Sequence, residues 1–374
     1  MIETHGPTLP NHIVEWTVLI VTYPFFSGIV AGATIISALV YLFGLKKLEQ
    51  LERVGHFLAL SLLIVAPLAP MFDLTVPIRA LFVPFYANIS SPITLFFVIW
   101  SLLFVVMLLK SYYLFRRDFI QKAKEGGAFG AIANALTLGA KEVSPEEDDK
   151  KVKLLAIISV PVAFLFTSYV AFLMSSMHSM PLWGTPMLLI VFAVSAVVSG
   201  IAATMLLYII GQSVLGERID AESLKLPTII MAAFAGLDLL VFVIEYVSEW
   251  YWNTAEWPLI AMAMNESLLA YIIKVVGLLF VFIGGLTSLN RSLQGITTLS
   301  IVSLITVYAV RWTAVIPAQM IDKGHRGIVE PHIKLIGREG VSEVIALYFF
   351  AFFLLLLFAS IAGWKSASQK EEVA

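Results

Sequence analysis

Long apolar runs are the feature that most constrains the fold of this sequence. A helix needs about 20 mainly apolar residues to cross the roughly 30 Å of hydrocarbon in a bilayer. About nine runs of at least that length follow one another here, whereas barrel strands would be shorter and would alternate in polarity. We therefore predict an all-α, polytopic transmembrane helix bundle in which residues 1–374 form a single integral membrane domain. The spans are predicted near residues 14–43, 54–82, 91–115, 152–177, 184–215, 226–250, 266–289, 296–316 and 341–364.

The composition agrees with a membrane protein and excludes several other classes. Of the 374 residues, 59% are hydrophobic and 13% are charged, whereas an ordinary soluble domain carries about 25% charged residues. The formal net charge is -2, so the chain lacks a basic field and nucleic acid is not an expected partner. The sequence contains no cysteine, which excludes disulfides, cysteine-ligated zinc and cysteine-ligated iron–sulfur clusters.

The histidines test whether this sequence could hold haem. Six are present, namely His5, His12, His56, His178, His325 and His332. A membrane cytochrome needs paired histidines at matching depth, but here only His56 and His178 lie at the ends of predicted spans. These two ends are on opposite sides of the bilayer, ~30 Å apart. We expect no haem, no iron–sulfur cluster and no metal in this chain, so any electrons come from or go to a partner subunit.

The basic residues predict the orientation. Most of the 24 Lys and Arg residues lie in the connections 44–53, 110–153, 215–225 and 289–293 and in the C-terminal tail. The positive-inside rule makes that side cytoplasmic. We therefore predict an outer N-terminus and a cytoplasmic C-terminus in the cell (cytoplasmic or inner) membrane, with lipid around the bundle. The opposite side is assigned Arg79, Arg311, Lys323, Arg326, Lys334 and Arg338, and Lys274 is assigned to a span.

Two longer connections interrupt the apolar pattern. In 116–151, the stretch KAKEGGAFGAIANALTLG can form an interfacial amphipathic helix, and the run SPEEDDKK is interpreted as a solvated spacer. In 317–340, the mixture of charged and apolar residues suits a surface that lies on the membrane or contacts a partner.

Charged residues inside a membrane are costly and therefore suggest specific roles. Asp73 and Arg79 flank the segment DLTVPIR at the outer end of the second span, where Pro77 breaks the helix. One interpretation is a structural ion pair that holds this break, and the other is a polar lining for a site near the outer surface.

A second set of charges lies deeper. Asp238 and Glu245 are seven residues apart, so they share one helix face. Lys274 enters from the next, antiparallel span at a depth between the two carboxylates. These residues form either a buried lysine–carboxylate pair or a proton path that reaches inward from an outer site.

The connection SMHSMPLWGTP places His178 beside Trp183 at the outer interface. A single interfacial histidine is commonly just solvated. If it faces Asp73 across a pocket, however, the two groups can exchange protons as quinol oxidation requires.

Three segments resemble the NrfD/polysulfide-reductase membrane-subunit family of quinone-reactive proteins. They are TYPFFSGIVAGA at 22–33, FDLTVPIRALFVPFYANISSPIT at 72–94 and SSMHSMPLWGTPMLLIVFAVSAVVSGIAA at 175–203. Where the family has Gly-Arg before the proline, this chain has Thr75-Val76, and Gly184 replaces the family's usual asparagine.

The resemblance implies a subunit that is not catalytic alone. Such subunits bind menaquinone or ubiquinone near the outer face and exchange electrons with a ferredoxin-like [4Fe–4S] subunit. That subunit passes them to or from a molybdopterin or other catalytic subunit. The implied quinone pocket comprises Tyr23, Gly28, Asp73, Arg79, His178 and Trp183. Asp73 and His178 would exchange protons, Tyr23 would bond a quinone carbonyl, and Arg79 would stabilise a reduced oxygen.

Alternatives remain for several of these assignments. Tyr23 can be an interfacial belt residue, and Gly28 can admit a neighbouring helix instead of a quinone ring. The chain as a whole can be an ion-coupled secondary transporter that uses Asp238, Glu245 and Lys274. It can also be a purely structural membrane anchor.

Overall fold

The computed structural model describes residues 16–140, 143–322, 324–331 and 333–365 and is helical almost throughout. Nine helical segments within these ranges are long and apolar enough to cross a membrane, which confirms the predicted class and number of spans. The helices are α1 (Val18–Tyr41), α2 (Glu49–Val65), α3 (Leu68–Asp73), α4 (Pro92–Glu125), α5 (Gly127–Leu136), α6 (Pro145–Ser175), α7 (Met187–Val214), α8 (Ala221–Trp252), α9 (Trp257–Glu266), α10 (Leu268–Leu286), α11 (Leu293–Met320) and α12 (Val341–Ala362).

The two ends of the bundle carry different connections. We call the end at which α1 begins the N-terminal end, and it also carries the connections 74–91, 176–186, 253–267 and 321–340. The opposite end carries 42–48, 126–144, 215–220 and 287–292.

The predicted second span, 54–82, is wrong at both ends. α2 already begins at Glu49, and the continuous apolar segment ends with α3 at Asp73. Residues Pro77–Phe82 form a separate 3-10 helix instead. Proline has no backbone N–H to donate, so Pro67 at the α2–α3 junction and Pro77 both favour interruptions of the helix.

The run SPEEDDKK is mostly exposed, as predicted, but the interpretation as a spacer is wrong, because the run forms the first turns of α6. Pro145 occupies the first turn, where a missing N–H costs little. Glu146, Glu147 and Asp148 follow it, and acidic groups are stabilised near the partial positive charge of a helix N-terminus. The first part of the same connection is helical, as α5.

Helix α1 forms the centre of the bundle, because 94% of its apolar window is buried. It packs against α7, α2, α6 and α11. Its contact with α7 depends on two glycines. A Cβ on Gly32 would lie 2.0 Å from the Ala196 carbonyl oxygen, and a Cβ on Gly200 would lie 2.4 Å from the Gly32 Cα. Small residues of this kind allow membrane helices to approach closely.

We expect Gly32→Ala to destabilise the protein by about 1–3 kcal/mol, the usual cost of overpacking, because no side-chain rotation can relieve a clash with backbone. Thermal unfolding of the purified protein in detergent measures the effect. Gly184→Ala is the control, since a Cβ at Gly184 meets nothing closer than 3.5 Å. An unchanged midpoint in Gly32→Ala would show that α1 and α7 are farther apart than described.

Candidate functional site

Asp73 lies at the N-terminal end of the bundle, as the last residue of α3, and is half-buried. One of its carboxylate oxygens accepts a hydrogen bond of 2.5 Å from the hydroxyl of Thr17. Thr17 is the N-cap of α1, where its hydroxyl oxygen also accepts from the backbone N–H of Leu19. Asp73 is therefore fixed to the start of the central helix.

Of the two interpretations of Asp73 and Arg79, the ion pair is not formed among the described residues. Arg79 lies on the 3-10 helix beyond the α3 break and is exposed. It lines a shallow pocket of about 390 Å³ together with Tyr86, Asn88 and Thr94. Because the chain after Asp73 is not a continuous helix, the six-residue spacing of Asp73 and Arg79 does not bring their side chains together.

Trp183 is part of the packing at this end, with 1% of its surface exposed. Its ring stacks on Trp16 at 5.0 Å between centroids, and its Nε1 donates to the Ala314 carbonyl at 2.6 Å. The backbone N–H of Trp16 donates to Gln319 at 2.8 Å. Trp183 thus holds the segment preceding α1 against the end of α11. Its ring stacks on Trp16, the residue before Thr17.

His178 lies in the 176–186 connection and is exposed. No hydrogen bond within the described part of the chain joins its ring to Asp73. The polar contact next to it is made by Ser179, whose carbonyl oxygen lies 3.2 Å from His325 Nε2. Asp73 and Trp183 are therefore linked through Thr17 and Trp16, while His178 and Arg79 are outside that network.

Tyr23 and Gly28 lie on α1 but have different neighbours. Tyr23 is buried with its edge against Phe96 at 5.7 Å, and its hydroxyl has no hydrogen-bond partner among the described residues. A Cβ on Gly28 would lie 3.0 Å from Arg311 Nη2 and 3.5 Å from Ala196 Cα. Gly28 therefore admits an arginine side chain and a neighbouring helix.

The deeper charges converge from α8 and α10. Asp238 is 0% exposed, and neither of its carboxylate oxygens has a partner among the described residues. Lys274 is also buried, but its ammonium lies over the ring of Phe242 at 4.2 Å, a cation–π contact. Lys274 interacts electrostatically with Asp238 and Glu245 but forms no ion pair within 4 Å with either carboxylate among the described residues. The buried pair and the proton path therefore both stay predictions.

Arg311 completes this intramembrane cluster and lies on α11, within the predicted span 296–316. It is 0% exposed, donates from Nη2 to the Phe192 carbonyl at 3.2 Å and lies over the Phe192 ring at 4.1 Å. Its Nε and Nη1 have no partner among the described residues. The count of Arg311 with the basic residues of the outer side is wrong, because its side chain is buried within α11. Its place in the apolar stretch VYAVRWTAV was a usable signal.

A second cluster lies towards the opposite end, between α2 and α4. Lys110 Nζ is 2.6 Å from Glu52 Oε1, and each of these side chains is only 1% exposed. Lys110 also donates to Ser37 on α1 at 2.6 Å. Close to this pair in sequence, Arg53 pairs with Asp118 at 2.8 Å and donates to the carbonyls of residues 362 and 363 at the end of α12. The sequence interpretation had assigned these charges to connections.

The positions of the histidines bear on the haem test. His56 is buried in α2 near the second cluster, with Nε2 2.7 Å from the Ser111 hydroxyl. His178 is at the N-terminal end, so the predicted separation of these two to opposite ends is confirmed. His5, His12 and His332 lie outside the described residues.

Three curated proteins are similar to this sequence over most of their length. The C subunit of selenate reductase from Mesobacillus selenatarsenatis is 29% identical over 326 residues, which are 81% of this sequence and 74% of that protein. The C polypeptide of polysulfide reductase from Wolinella succinogenes is 27% identical over 242 residues, or 63% and 72% of the two proteins. The C subunit of tetrathionate reductase from Archaeoglobus fulgidus is 23% identical over 319 residues, or 81% of each.

A family model described as "Polysulphide reductase, NrfD" matches residues 8–322. The match spans α1 to α11 and includes Asp73, Trp183 and the charged residues of the intramembrane cluster. Because it covers most of the sequence, the chain belongs to the polysulphide reductase NrfD family and is a multi-pass integral membrane protein.

Proposed function

We propose that this protein is the quinone-binding membrane subunit of a respiratory oxidoreductase complex. It exchanges electrons between menaquinone or ubiquinone and an iron–sulfur partner subunit. The observation that carries the proposal is the half-buried carboxylate of Asp73, fixed by Thr17 at one end of the central helix. A quinone dissolved in the membrane can approach this depth, and its reduction or oxidation requires a group that takes up or gives off protons.

The remaining predicted quinone residues have different degrees of support. Tyr23 offers a buried hydroxyl without a partner among the described residues. Arg79 and His178 are exposed at the same end as Asp73 and so belong to its surroundings only if a ligand bridges them. Trp183 and Gly28 support the proposed site indirectly, by positioning the start of α1 and the α1–α7 contact.

The proposed electron partner is a ferredoxin-like [4Fe–4S] subunit that connects to a molybdopterin or other catalytic subunit. Since the sequence has no cysteine, a cysteine-ligated cluster must belong to another polypeptide. The segment 74–93 supports docking at the N-terminal end, because it exposes Phe85, Tyr86 and Ile89 almost completely. Large exposed apolar side chains that are contiguous mark interaction surfaces. In the predicted orientation this end faces outward.

Quinone extraction tests the proposal against its two alternatives. The complex is purified in mild detergent, and its bound lipids are extracted and identified. We expect menaquinone or ubiquinone to be retained and quinone analogues to inhibit turnover. A purely structural anchor would retain no quinone and would be insensitive to analogues, whereas an ion-coupled transporter would move a solute without any quinone requirement.

The intramembrane cluster suggests that turnover also moves protons. Asp238, Glu245, Lys274 and Arg311 place charged groups on three adjacent helices, and such groups within membrane spans commonly serve proton relays. We expect Glu245→Gln to abolish uncoupler-sensitive membrane potential while quinone-linked turnover continues. The potential is measured with a voltage-sensitive dye in sealed vesicles.

A control for this variant is available on the same helix. Glu222 lies in the first turn of α8, in an exposed pair with Lys225, so Glu222→Gln should leave the potential unchanged. If Glu245→Gln generates a normal potential, the cluster is structural and the proton path is rejected.

A further inference from the structure

A slot within the membrane-spanning region has no charged residue in its lining. Helix α12 packs against α2, α1 and α4, whereas α11 packs against α10, α7 and α1. Between α11 and α12 this arrangement leaves a cavity of about 470 Å³ that is open at the bundle's side. Its floor includes Phe26 and Ile29 of the central helix, which are buried, and its rim includes Phe352, which is 50% exposed.

The lining of this slot is apolar except at one place. Two tyrosines, Tyr308 of α11 and Tyr348 of α12, contribute the only hydroxyl groups among its lining residues. Tyr308 packs edge-on against Phe25 at 5.4 Å, and its hydroxyl lies 3.2 Å from that of Thr22, so the two hydroxyls are hydrogen-bonded. Tyr348 packs edge-on against Phe26 at 4.9 Å.

We propose that the slot between α11 and α12 binds the quinone itself, with the ring beside the Tyr308–Thr22 hydroxyl pair and the isoprenoid tail along the apolar wall. This inference rests on the proposed function and assigns the ligand to a face of α1 different from the one that carries Tyr23. Tyr23 packs towards α4, at Phe96, whereas Phe25, Phe26 and Ile29 line the slot.

The size of the slot excludes a transmembrane helix from a partner as its occupant. A helix of about 20 residues is roughly 30 Å long and at least 10 Å wide, which corresponds to roughly 2,400 Å³. The cavity is about 470 Å³, within the range of roughly 300–1,000 Å³ that small-molecule sites occupy.

The depth of the hydroxyl pair favours a quinone over a phospholipid. Thr22 lies five residues along α1 from Thr17, or roughly 7.5 Å of helix rise below the Asp73 hydrogen bond. A phospholipid must keep its charged head group at the interface, so its acyl chains could fill the slot but could not use hydroxyl donors at this depth. Thr22 already donates to the Val18 carbonyl at 2.9 Å, so Tyr308 is the donor in the pair. A neutral quinone ring can lie there and accept that hydrogen bond when the Tyr308 hydroxyl turns from Thr22 towards the slot.

Filling the slot tests this assignment through the dependence on tail length. Ala351 is buried on the α12 wall, and Ala351→Trp would occupy the space of the tail. In membranes that contain the whole complex, we expect KM for a long-tailed quinol to rise at least about tenfold, the effect of a misfit in an apolar pocket. KM for a tail-less quinol analogue should stay within about twofold, which also shows that the variant is assembled. Leu356→Trp is the control, because Leu356 is on the same helix, exposed and outside the lining.

Tyr308→Phe tests the position of the ring. Loss of one neutral hydrogen bond should raise KM about fivefold for long-tailed and tail-less quinols alike. A photoreactive quinone with an isoprenoid tail should label peptides of α11 and α12 in the wild-type complex, and Ala351→Trp should suppress the labelling.

The outcomes separate this inference from the proposed function. Two results would overturn the slot assignment but leave the proposed function in place. One is quinone-linked turnover with labelling of α4 where it packs against Tyr23. The other is an Ala351→Trp effect on KM that is equal for both quinols or absent. Recovery of phospholipid but no quinone from a quinone-active complex would have the same meaning. Absence of any quinone-linked turnover in the wild-type complex would overturn both.

Discussion

Replacing Asp73 by asparagine is expected to lower quinone-linked turnover about 100-fold, the lower range of the contribution of a positioned general acid or base. Asparagine keeps a carbonyl oxygen that can accept the hydrogen bond from Thr17, which measures 2.5 Å in the wild type. The local geometry is therefore retained while the ability to take up and release a proton is lost. Turnover is measured in membranes with quinol as donor or quinone as acceptor, alongside the amount of assembled complex.

Thr17 provides the matched controls for this experiment. Thr17→Ser keeps the hydroxyl that donates to Asp73 and should retain nearly full turnover. Thr17→Val removes the hydroxyl but leaves the carboxylate. We therefore expect turnover to fall by about tenfold or less, which corresponds to the lower limit of the free energy of one hydrogen bond to a charged group. Normal turnover in an assembled Asp73→Asn complex would remove Asp73 from the mechanism.

The largest effect on stability is expected for Lys110→Met. Glu52 would then lose its 2.6 Å partner in a site where its side chain is 1% exposed. Removing one partner of a buried ion pair costs about 3–5 kcal/mol. We expect a large decrease in thermal stability in detergent and a reduced yield of assembled protein.

A second substitution distinguishes the lost charge balance from lost packing. Combining Lys110→Met with Glu52→Gln removes both charges and should recover much of the stability, because an apolar or neutral replacement of a buried pair is commonly tolerated. Lys122→Met is the surface control, since Lys122 pairs with Glu125 where both are partly exposed, and such pairs contribute about 0–1 kcal/mol. Equal effects at Lys110 and Lys122 would contradict the buried pair.

The apolar pattern was sufficient to predict the nine spans, because each helix must independently cover the thickness of the membrane. Helix ends were predicted less well. α2 and α4 extend beyond the predicted spans 54–82 and 91–115 and carry Glu52, Arg53 and Asp118 on these extensions, with Lys110 near the end of the span 91–115. These charges compensate one another between helices, and a one-dimensional count of apolar residues does not detect such pairing.

The candidate site shows the same limit. Asp73 and Trp183 were identified from motifs, but their actual partners, Thr17 and Trp16, come from the segment that precedes α1. Arg311 was counted with the outer side although it lies in a predicted span, and a carbonyl and an aromatic ring of α7 hold it within the bundle. These contacts join residues that are 56 positions apart for Thr17 and Asp73 and more than 100 positions apart for Arg311 and Trp183. Only the packing of the helices therefore reveals them.

The most direct test of the central claim is electron exchange between quinone and the iron–sulfur partner in proteoliposomes. The complex is prepared with and without this protein, its clusters are reduced, and their reoxidation by added quinone is followed by electron paramagnetic resonance. The reverse reaction, cluster reduction by quinol, is followed in the same samples. We predict fast exchange in at least one direction only when this protein is present, and slower exchange with Asp73→Asn. Equal rates with and without it, or no exchange in the intact complex, would contradict a quinone-binding role.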